Sequence, residues 1–309
     1  VPRKVVTNDD LTEFLDTSDE WIYTRTGIRK RHVLTDETLL DLAVGSAEIA
    51  LEDAKTSPSE IGFVLAATMR GDTVTPSFAF CVAEKLGIAA PAFDVNAACV
   101  GVLYCMELAD SLISTGKADK ILIVSAEAMS KLVDWNDRAS CVLFGDGSGA
   151  MVVGKGEGRL AGILSGKPDS VSIRMPSFEG ESRFNEIKAE KMVMHMDGQE
   201  VYKFAVNAMG HEIENVCKKA GIEPAEVDWF LPHQANVRIV DACQKKFKIE
   251  KSKVLMNIAE YGNMSATSIM VLLDEFAKKG TFHRGDKLLF VAFGGGLTSG
   301  ALLIKWNKD

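Results

Sequence analysis

The chain lacks a CxxC pair. None of its six cysteines (Cys81, Cys99, Cys105, Cys141, Cys217 and Cys243) stands at zinc-site spacing from a histidine. No metal site is therefore expected. Scattered cysteines with mostly apolar flanks argue against a disulfide framework and fit a reducing cytoplasm. No apolar run is long enough to span a membrane, and there is no signal-peptide pattern. Positive charge is in deficit, with 35 Lys and Arg against 43 Asp and Glu and a formal net charge of −8. That balance carries no nucleic-acid signature. A dinucleotide or phosphate loop is missing too. Gly145-Asp146-Gly147-Ser148-Gly149 reads GxGxG rather than GxGxxG, and it leads into a strand rather than a helix. The chain opens at Val1-Pro2-Arg3 without a methionine, so a short preceding segment carrying a first strand is expected.

What is present is an ordinary globular composition of 309 residues, 47% hydrophobic and 25% charged, enough for one large or two medium domains. Short Val/Ile/Leu runs alternate with helical stretches. Ile121-Leu122-Ile123-Val124 and Leu288-Leu289-Phe290-Val291 predict strands buried on both faces, so the fold class is α/β.

An internal repeat organises the chain. Pro58-Ser59-Glu60-Ile61-Gly62-Phe63-Val64-Leu65 is echoed 166 residues later by Pro224-Ala225-Glu226-Val227-Asp228-Trp229-Phe230-Leu231. Ala118-Asp119-Lys120-Ile121-Leu122 is echoed 167 residues later by Gly285-Asp286-Lys287-Leu288-Leu289. Phe144-Gly145-Asp146-Gly147 is echoed only 149 residues later, by Phe293-Gly294-Gly295-Gly296. The first copy therefore carries an insertion over roughly Ala126 to Leu143. Each copy reads helix, strand, helix, strand, hairpin strand. Two like halves related by a pseudo-twofold axis are expected, residues 1–162 and 163–309, with the boundary near Leu160 to Ser165.

Cys99 follows the apolar segment Asp94-Val95-Asn96-Ala97-Ala98 and precedes a helical pattern marked by Leu103, Met106, Leu112 and Ile113. The macrodipole and unpaired amides at a helix start favour a thiolate. A lone cysteine there is more often an inert buried thiol. Adding the repeat offset places Ser265, in Gly262-Asn263-Met264-Ser265, opposite Cys99 at the start of the matching helix. Clefts form at such junctions. His233 follows the strand Asp228-Trp229-Phe230-Leu231, where α/β folds collect ligand-contacting groups; a lone histidine there is more often a satisfied loop residue. Asn263 reads as a turn or as a donor, and Gly294-Gly295-Gly296 as a tight hairpin or as amides free to approach an oxyanion. Cys, His and Asn with an amide-rich loop admit proteolysis or acyl transfer through a thioester; duplicated halves argue against a protease.

The motifs Asp16-Thr17-Ser18-Asp19-Glu20-Trp21-Ile22, Arg25-Thr26-Gly27-Ile28, Ala97-Ala98-Cys99, Phe144-Gly145-Asp146-Gly147, Pro232-His233-Gln234-Ala235-Asn236, Gly262-Asn263-Met264-Ser265 and the Gly294 to Gly300 loop span nearly the whole chain. Together they resemble the β-ketoacyl-acyl carrier protein synthase III family of thiolase-like condensing enzymes. The resemblance implies a thiolase-like fold, layered α/β/α/β/α. It implies that Cys99 takes an acyl group from acyl-coenzyme A and joins it to malonyl-acyl carrier protein by decarboxylative Claisen condensation. This gives a 3-oxoacyl product and initiates type II fatty acid synthesis.

On the same resemblance, His233 and Asn263 stabilise the enolate, and the amides of Cys99 and of Gly295 or Gly296 form the oxyanion hole. Trp21 and Arg138 sandwich the adenine of coenzyme A. Arg25 and Arg238 meet its phosphates or the tunnel mouth, and Asn236 and Gly198 its pantetheine arm. Thr75, Phe144 and Met194 line the acyl pocket, with Thr75 reaching it across a homodimer. Arg238, Lys245 and Lys246 meet the acidic carrier protein; with Lys248, Lys251 and Lys253 they form a basic cluster that reads equally as a solvated face. Coenzyme A enters as substrate, and no cofactor is permanently bound.

Two positions depart from the family pattern. Thr75 stands where phenylalanine is common, which leaves room for a longer or branched starter. Ser299 stands where tryptophan is common. The same chemistry in secondary metabolism is the alternative reading. A non-catalytic binder fits poorly with an intact Cys99, His233 and Asn263.

Overall fold

The computed structural model describes residues 1–177, 184 and 190–308. Two four-stranded sheets form its frame. The N-terminal part begins with a small hairpin-like pair, β1 (Lys4–Thr7) with β2 (Lys30–Val33), around the short helices α1 (Asn8–Leu11) and α2 (Asp19–Thr26). Helix α2 starts where the Ser18 side chain accepts from the Trp21 amide and stops at Gly27, whose φ of +80° suits glycine. This fixes Trp21 and Arg25 on one short, well-capped element.

The first sheet orders β4 (Ala92–Val95), β3 (Phe63–Ala67), β5 (Lys120–Ala128) and β6 (Asp146–Gly154), with only the last pair antiparallel. The second orders β10 (Trp229–Pro232), β11 (Lys287–Gly294), β12 (Gly296–Lys305) and β7 (Arg159–Asp169). Here β10 and β11 are parallel and β11 and β12 antiparallel, as β3, β5 and β6 are. The counterpart of β4 shrinks to a single parallel bridge between Phe230 and Val254. A minor pair, β8 (Ile173–Arg174) with β9 (His195–Met196), lies outside both sheets. Strand β7 pairs with β12 from Arg159 onward, so the chain joins the second sheet slightly ahead of the expected 162/163 division.

Alternating residues of each central strand face opposite helix layers, because a strand's side chains have a period of two. Val64, Ala66, Leu122 and Val124 pack on α3 (Leu39–Asp53) and α4 (Phe78–Leu86). Leu65, Ala67, Ile121 and Ile123 pack on α5 (Gly101–Ser114) and the start of α9 (Thr267–Lys278). Leu288, Phe290 and Ala292 meet the other side of those two helices. Leu289, Val291 and Phe293 meet α6 (Gly198–Ala220) and α7 (Val237–Lys246). The layers are thus helix, sheet, helix pair, sheet, helix, the expected thiolase-like order. Helix α8 (Ile258–Tyr261) is a single turn before the Asn263 loop. Among the described residues no helix is long and apolar enough to cross a membrane.

The structure refines the repeat at two points. Residues Ala126 to Ala128 remain in β5, because its ladder with β6 runs on to the pair Ala128 and Asp146; the insertion starts at Met129. On the other side, only Gly295, Gly296 and Leu297 separate the last β11–β12 pair, Gly294 with Thr298. Secondly, Ala98 (φ +46°), three residues before α5, and Ser265 (φ +52°), two residues before α9, are both left-handed non-glycine residues. Backbone geometry therefore pairs Ala98 with Ser265 and Cys99 with Ala266, one residue off the sequence pairing. A Cβ on Gly101 would stand 3.6 Å from the Ala266 Cβ, so the two starts meet at the centre.

Candidate active site

One cavity of about 640 Å³ opens between the halves. Cys99, His233 and Asn263 all line it, with Gly294 and Gly295. Cys99 sits in the 3₁₀ turn Ala98–Val100 that feeds α5. A Cβ on Gly294 would lie 2.9 Å from the Cys99 amide nitrogen, so only glycine lets the β11–β12 turn close over the nucleophile's backbone. Gly295 faces the cavity; Gly296, in the middle of the three-residue turn, is exposed and lies outside the cavity wall. Of the two candidate oxyanion glycines, geometry favours Gly295.

Burial pushes the Cys99 thiol up to about 12, and the Glu127 carboxylate adds to this; Ser265 and the Cys99 amide act the other way. The sequence reading expected the helix start to favour thiolate. A helix end supplies about 0.3–1 kcal/mol to an anion, while one pKa unit is worth about 1.4 kcal/mol. Burial wins, and the resting group is a thiol.

His233 is fully buried, and neither ring nitrogen has a partner among the described residues. Its ring meets the edge of Phe293 with centroids 5.6 Å apart. Burial lowers its pKa to about 3, so it is neutral at any physiological pH. The following residue fastens the site: Gln234 Nε2 donates to the Pro232 carbonyl at 2.7 Å, and its Oε1 accepts from the amides of Asn257 and Ile258 at 3.1 and 3.2 Å. That ties the His233 turn to the segment leading into the Asn263 loop.

Asn263 is held by both halves. Its amide donates to the Leu143 carbonyl at 2.9 Å, and its carbonyl accepts from Gly145 at 3.0 Å. Its Oδ1 accepts from the Ser265 amide at 2.8 Å, so the side-chain NH₂ is the free donor. The Gly145 motif gains a packing role here. A Cβ on Gly145 would stand 2.5 Å from the Tyr261 carbonyl oxygen, and one on Gly147 2.5 Å from Met264 Sδ. Asp146 between them accepts from the Ser130 amide and hydroxyl and from the Leu34 amide, pinning the start of the insertion.

Trp21, Arg25, Gly198, Asn236 and Arg238 line the outer part of the same cavity. Asn236 caps α7 through Oδ1, which accepts from the Arg238 amide at 2.9 Å. Arg238 Nε donates to the Thr24 carbonyl at 3.2 Å. The guanidinium of Arg25 lies 4.5 Å from the Trp21 ring and that of Arg138 5.1 Å from it. Arg138 also bonds Asp16 and is not part of the wall. Phe144 and Met194 line the inner end. Thr75 is exposed and lies outside this cavity, as do Lys245 and Lys246. Ser299 Oγ donates to the buried Glu212 Oε1 at 2.7 Å. Among the described residues no cluster of His, Cys, Asp and Glu could hold a metal ion.

Sequence reasoning missed Met69, Met129, Ile173 and Met196, which complete the cavity wall. Scattered methionines carry no spacing signal. It also missed Glu127, whose signal is visible: a single carboxylate inside a strand otherwise buried on both faces.

Residues 93–170 match the profile of 3-oxoacyl-[acyl-carrier-protein (ACP)] synthase III and residues 217–306 that of its C-terminal part. The β-ketoacyl-[acyl-carrier-protein] synthase III of Desulfitobacterium hafniense (strain DCB-2) is 44% identical over 318 residues, covering 100% of this chain and 96% of that protein. The crystal structure of 3-oxoacyl-[acyl-carrier-protein] synthase III from Aquifex aeolicus VF5 superposes with a TM-score of 0.93 at 41% identity, covering 99% and 97% of the two chains. The chain belongs to the β-ketoacyl-acyl carrier protein synthase III family. It is an acyl-transferring condensing enzyme of fatty acid synthesis with a thiolase-like fold. The priming β-ketosynthase of the R1128 polyketide pathway shares the fold, with a TM-score of 0.93, at the lower identity of 30%.

Proposed function

We propose that Cys99 is the acyl acceptor, loaded from acyl-coenzyme A, and that malonyl-acyl carrier protein then enters the same cavity. The observation that carries this reading is the convergence of Cys99, His233, Asn263 and the Gly294–Gly295 amides on one cavity between the halves. The neutral His233 ring can donate one hydrogen bond, and Asn263 donates a second without titrating. Together they hold the malonyl thioester oxygen as carbon dioxide leaves and an enolate forms. The carbanion attacks the acyl-cysteine, whose carbonyl oxygen rests on the amides of Cys99 and Gly295. The 3-oxoacyl carrier protein departs and Cys99 is freed.

Coenzyme A fits the outer cavity: Trp21 offers an aromatic face, Arg25 and Arg238 offer charge for phosphates, and Gly198 and Asn236 border the arm. An adenine between Trp21 and Arg138 needs a gap of about 7 Å, twice the ~3.5 Å contact distance between stacked atoms. Arg138 stands 5.1 Å from the ring and must swing outward to admit it. A homodimer fits the exposed edge of the first sheet, where β4 is a terminal strand beside half-exposed Phe80 and Phe93. Exposed Thr75 stands three residues before Phe78, whose amide donates to Asp94 of β4, and in such a dimer would reach toward a second copy's pocket. Localisation in the cytoplasm accords with the free thiols.

The test is mass spectrometry of the Cys99 peptide after incubation with acyl-coenzyme A thioesters of two to eight carbons, followed by malonyl-acyl carrier protein. Acyl mass on Cys99, discharged on the second addition, is expected, with C4 to C8 chains loading at least as well as acetyl. Label on another residue overturns the assignment.

Helix α7 carries Arg238 and Lys245 seven residues apart on one face; Arg238 lines the cavity, and Lys245 and Lys246 lie outside it. Reversing Lys245 and Lys246 to glutamate is expected to raise the KM for carrier protein about tenfold or more, while that for acyl-coenzyme A changes less. Equal effects on both would defeat this docking site.

A further inference from the structure

Beside the Asn263 loop lies a buried cation that takes no part in the reaction steps. Arg31, on β2, is fully buried and is the bulkiest side chain so enclosed among the described residues. Its Nη2 donates to the Val142 carbonyl at 2.8 Å and its Nη1 to the Val6 carbonyl at 3.3 Å, while Nε has no partner among the described residues. No described carboxylate accepts from it. Burial lowers its pKa to about 10, with Cys141 and Asp10 acting the other way, so it is charged at neutral pH. A buried cation without a paired carboxylate is costly, and an apolar side chain of like volume would fill the space as well.

The surroundings of Arg31 give the charge a use. Val142 stands at the end of the insertion, and the next residue, Leu143, takes the Asn263 amide on its carbonyl at 2.9 Å. The Arg31 stem packs against both glycines of this crossing. A Cβ on Gly145 would stand 3.1 Å from the Arg31 Cβ, and one on Gly262 3.4 Å from it. The neighbours of Arg31 hold the same loop. The Arg29 amide donates to the Ala259 carbonyl at 3.0 Å, and Lys30 pairs with Glu260 at 2.6 Å. The His32 ring stacks on Tyr261 with centroids 5.6 Å apart. The turn that carries Cys99 takes part in none of these contacts.

We propose that Arg31 is a positioning residue for the Asn263 side-chain amide: it clamps the end of the insertion so that this donor sits where the enolate forms. The inference rests on Asn263 being that donor. Arg31 lies outside the cavity wall and acts through Val142, Gly145 and Gly262. Its fork ties β1 to the insertion, because its two carbonyl partners belong one to each. An apolar residue of the same bulk would take that donor from the Val142 carbonyl and let the segment shift. A misplacement of about 1 Å at a reacting centre costs up to ~10²-fold in rate. Acyl loading at Cys99 is independent of the clamp, whereas decarboxylation depends on it.

The test is a double-mutant cycle of Arg31→Met with Asn263→Ala. Two assays read it: carbon dioxide release from malonyl-acyl carrier protein, and single-turnover acylation of Cys99. Arg31→Met alone is expected to lower kcat for decarboxylation about 10- to 10²-fold, while the KM for malonyl-acyl carrier protein and the acylation rate change less than about twofold. On an Asn263→Ala background it should lower decarboxylation no further, because the donor it positions is gone. Arg31→Lys keeps the charge but offers one ammonium in place of the fork, and should recover part of the loss. It takes the methionine variant's place in the cycle if that variant does not fold. Wild-type decarboxylation in Arg31→Met overturns the proposal. So do equal losses in the two assays, the mark of general loosening, and losses that add to those of Asn263→Ala. If Asn263→Ala alone decarboxylates at the wild-type rate, the reading of Asn263 fails and the clamp falls with it.

Discussion

Replacing Cys99 by alanine is expected to abolish acyl loading and lower condensation by at least ~10⁴-fold, the scale seen when a covalent nucleophile is removed. Decarboxylation of malonyl-acyl carrier protein should survive in that variant. The groups assigned to it, His233 and the Asn263 amide, are fastened by Gln234, Leu143 and Gly145 rather than by the cysteine. Alanine removes one sulfur and leaves the 3₁₀ turn intact. Carbon dioxide release without coenzyme A release is the measurable signature. Loss of both activities together would mean that the thiol also organises the decarboxylating groups.

Replacing His233 by alanine is expected to do the reverse. Cys99 should still be acylated, while decarboxylation and condensation fall by about 10²–10³, the usual loss for one oxyanion donor. The pH dependence discriminates further. With a pKa lowered to about 3, His233 is neutral across the working range. Its donor form is therefore constant from pH 5 upward, and no limb near 6.5 should appear in the wild-type rate of decarboxylation. A limb there would mean that the ring is charged in the working enzyme, contrary to its burial. Steady-state decarboxylation from pH 5 to 9 decides the matter.

Much of this arrangement is legible in the residues. The doubled apolar strands, their order and the glycine turn last in each copy led to two sheets with the same pattern of directions. Cys99, His233 and Asn263 stand out because each ends or begins an element at a junction. What was not legible depends on contacts between distant segments. The exposure of Gly296 follows from its place in the middle of the β11–β12 turn. The raised proton affinity of the Cys99 thiol follows from burial, which a helix-start argument cannot weigh. The one-residue shift that pairs Ala98 with Ser265 is visible only in backbone angles. The methionines of the cavity wall come from three separate segments, so no local pattern announces them.

The exchange of backbone bonds between Asn263 and residues 143 and 145 has a consequence for how the enzyme fails. The donor proposed to serve the second substrate is a lodger of the first half's insertion, whereas Cys99 stands on its own turn. Heat, truncation or a misplaced side chain that loosens the insertion uncouples the cycle. It leaves an enzyme that accepts an acyl group and keeps it.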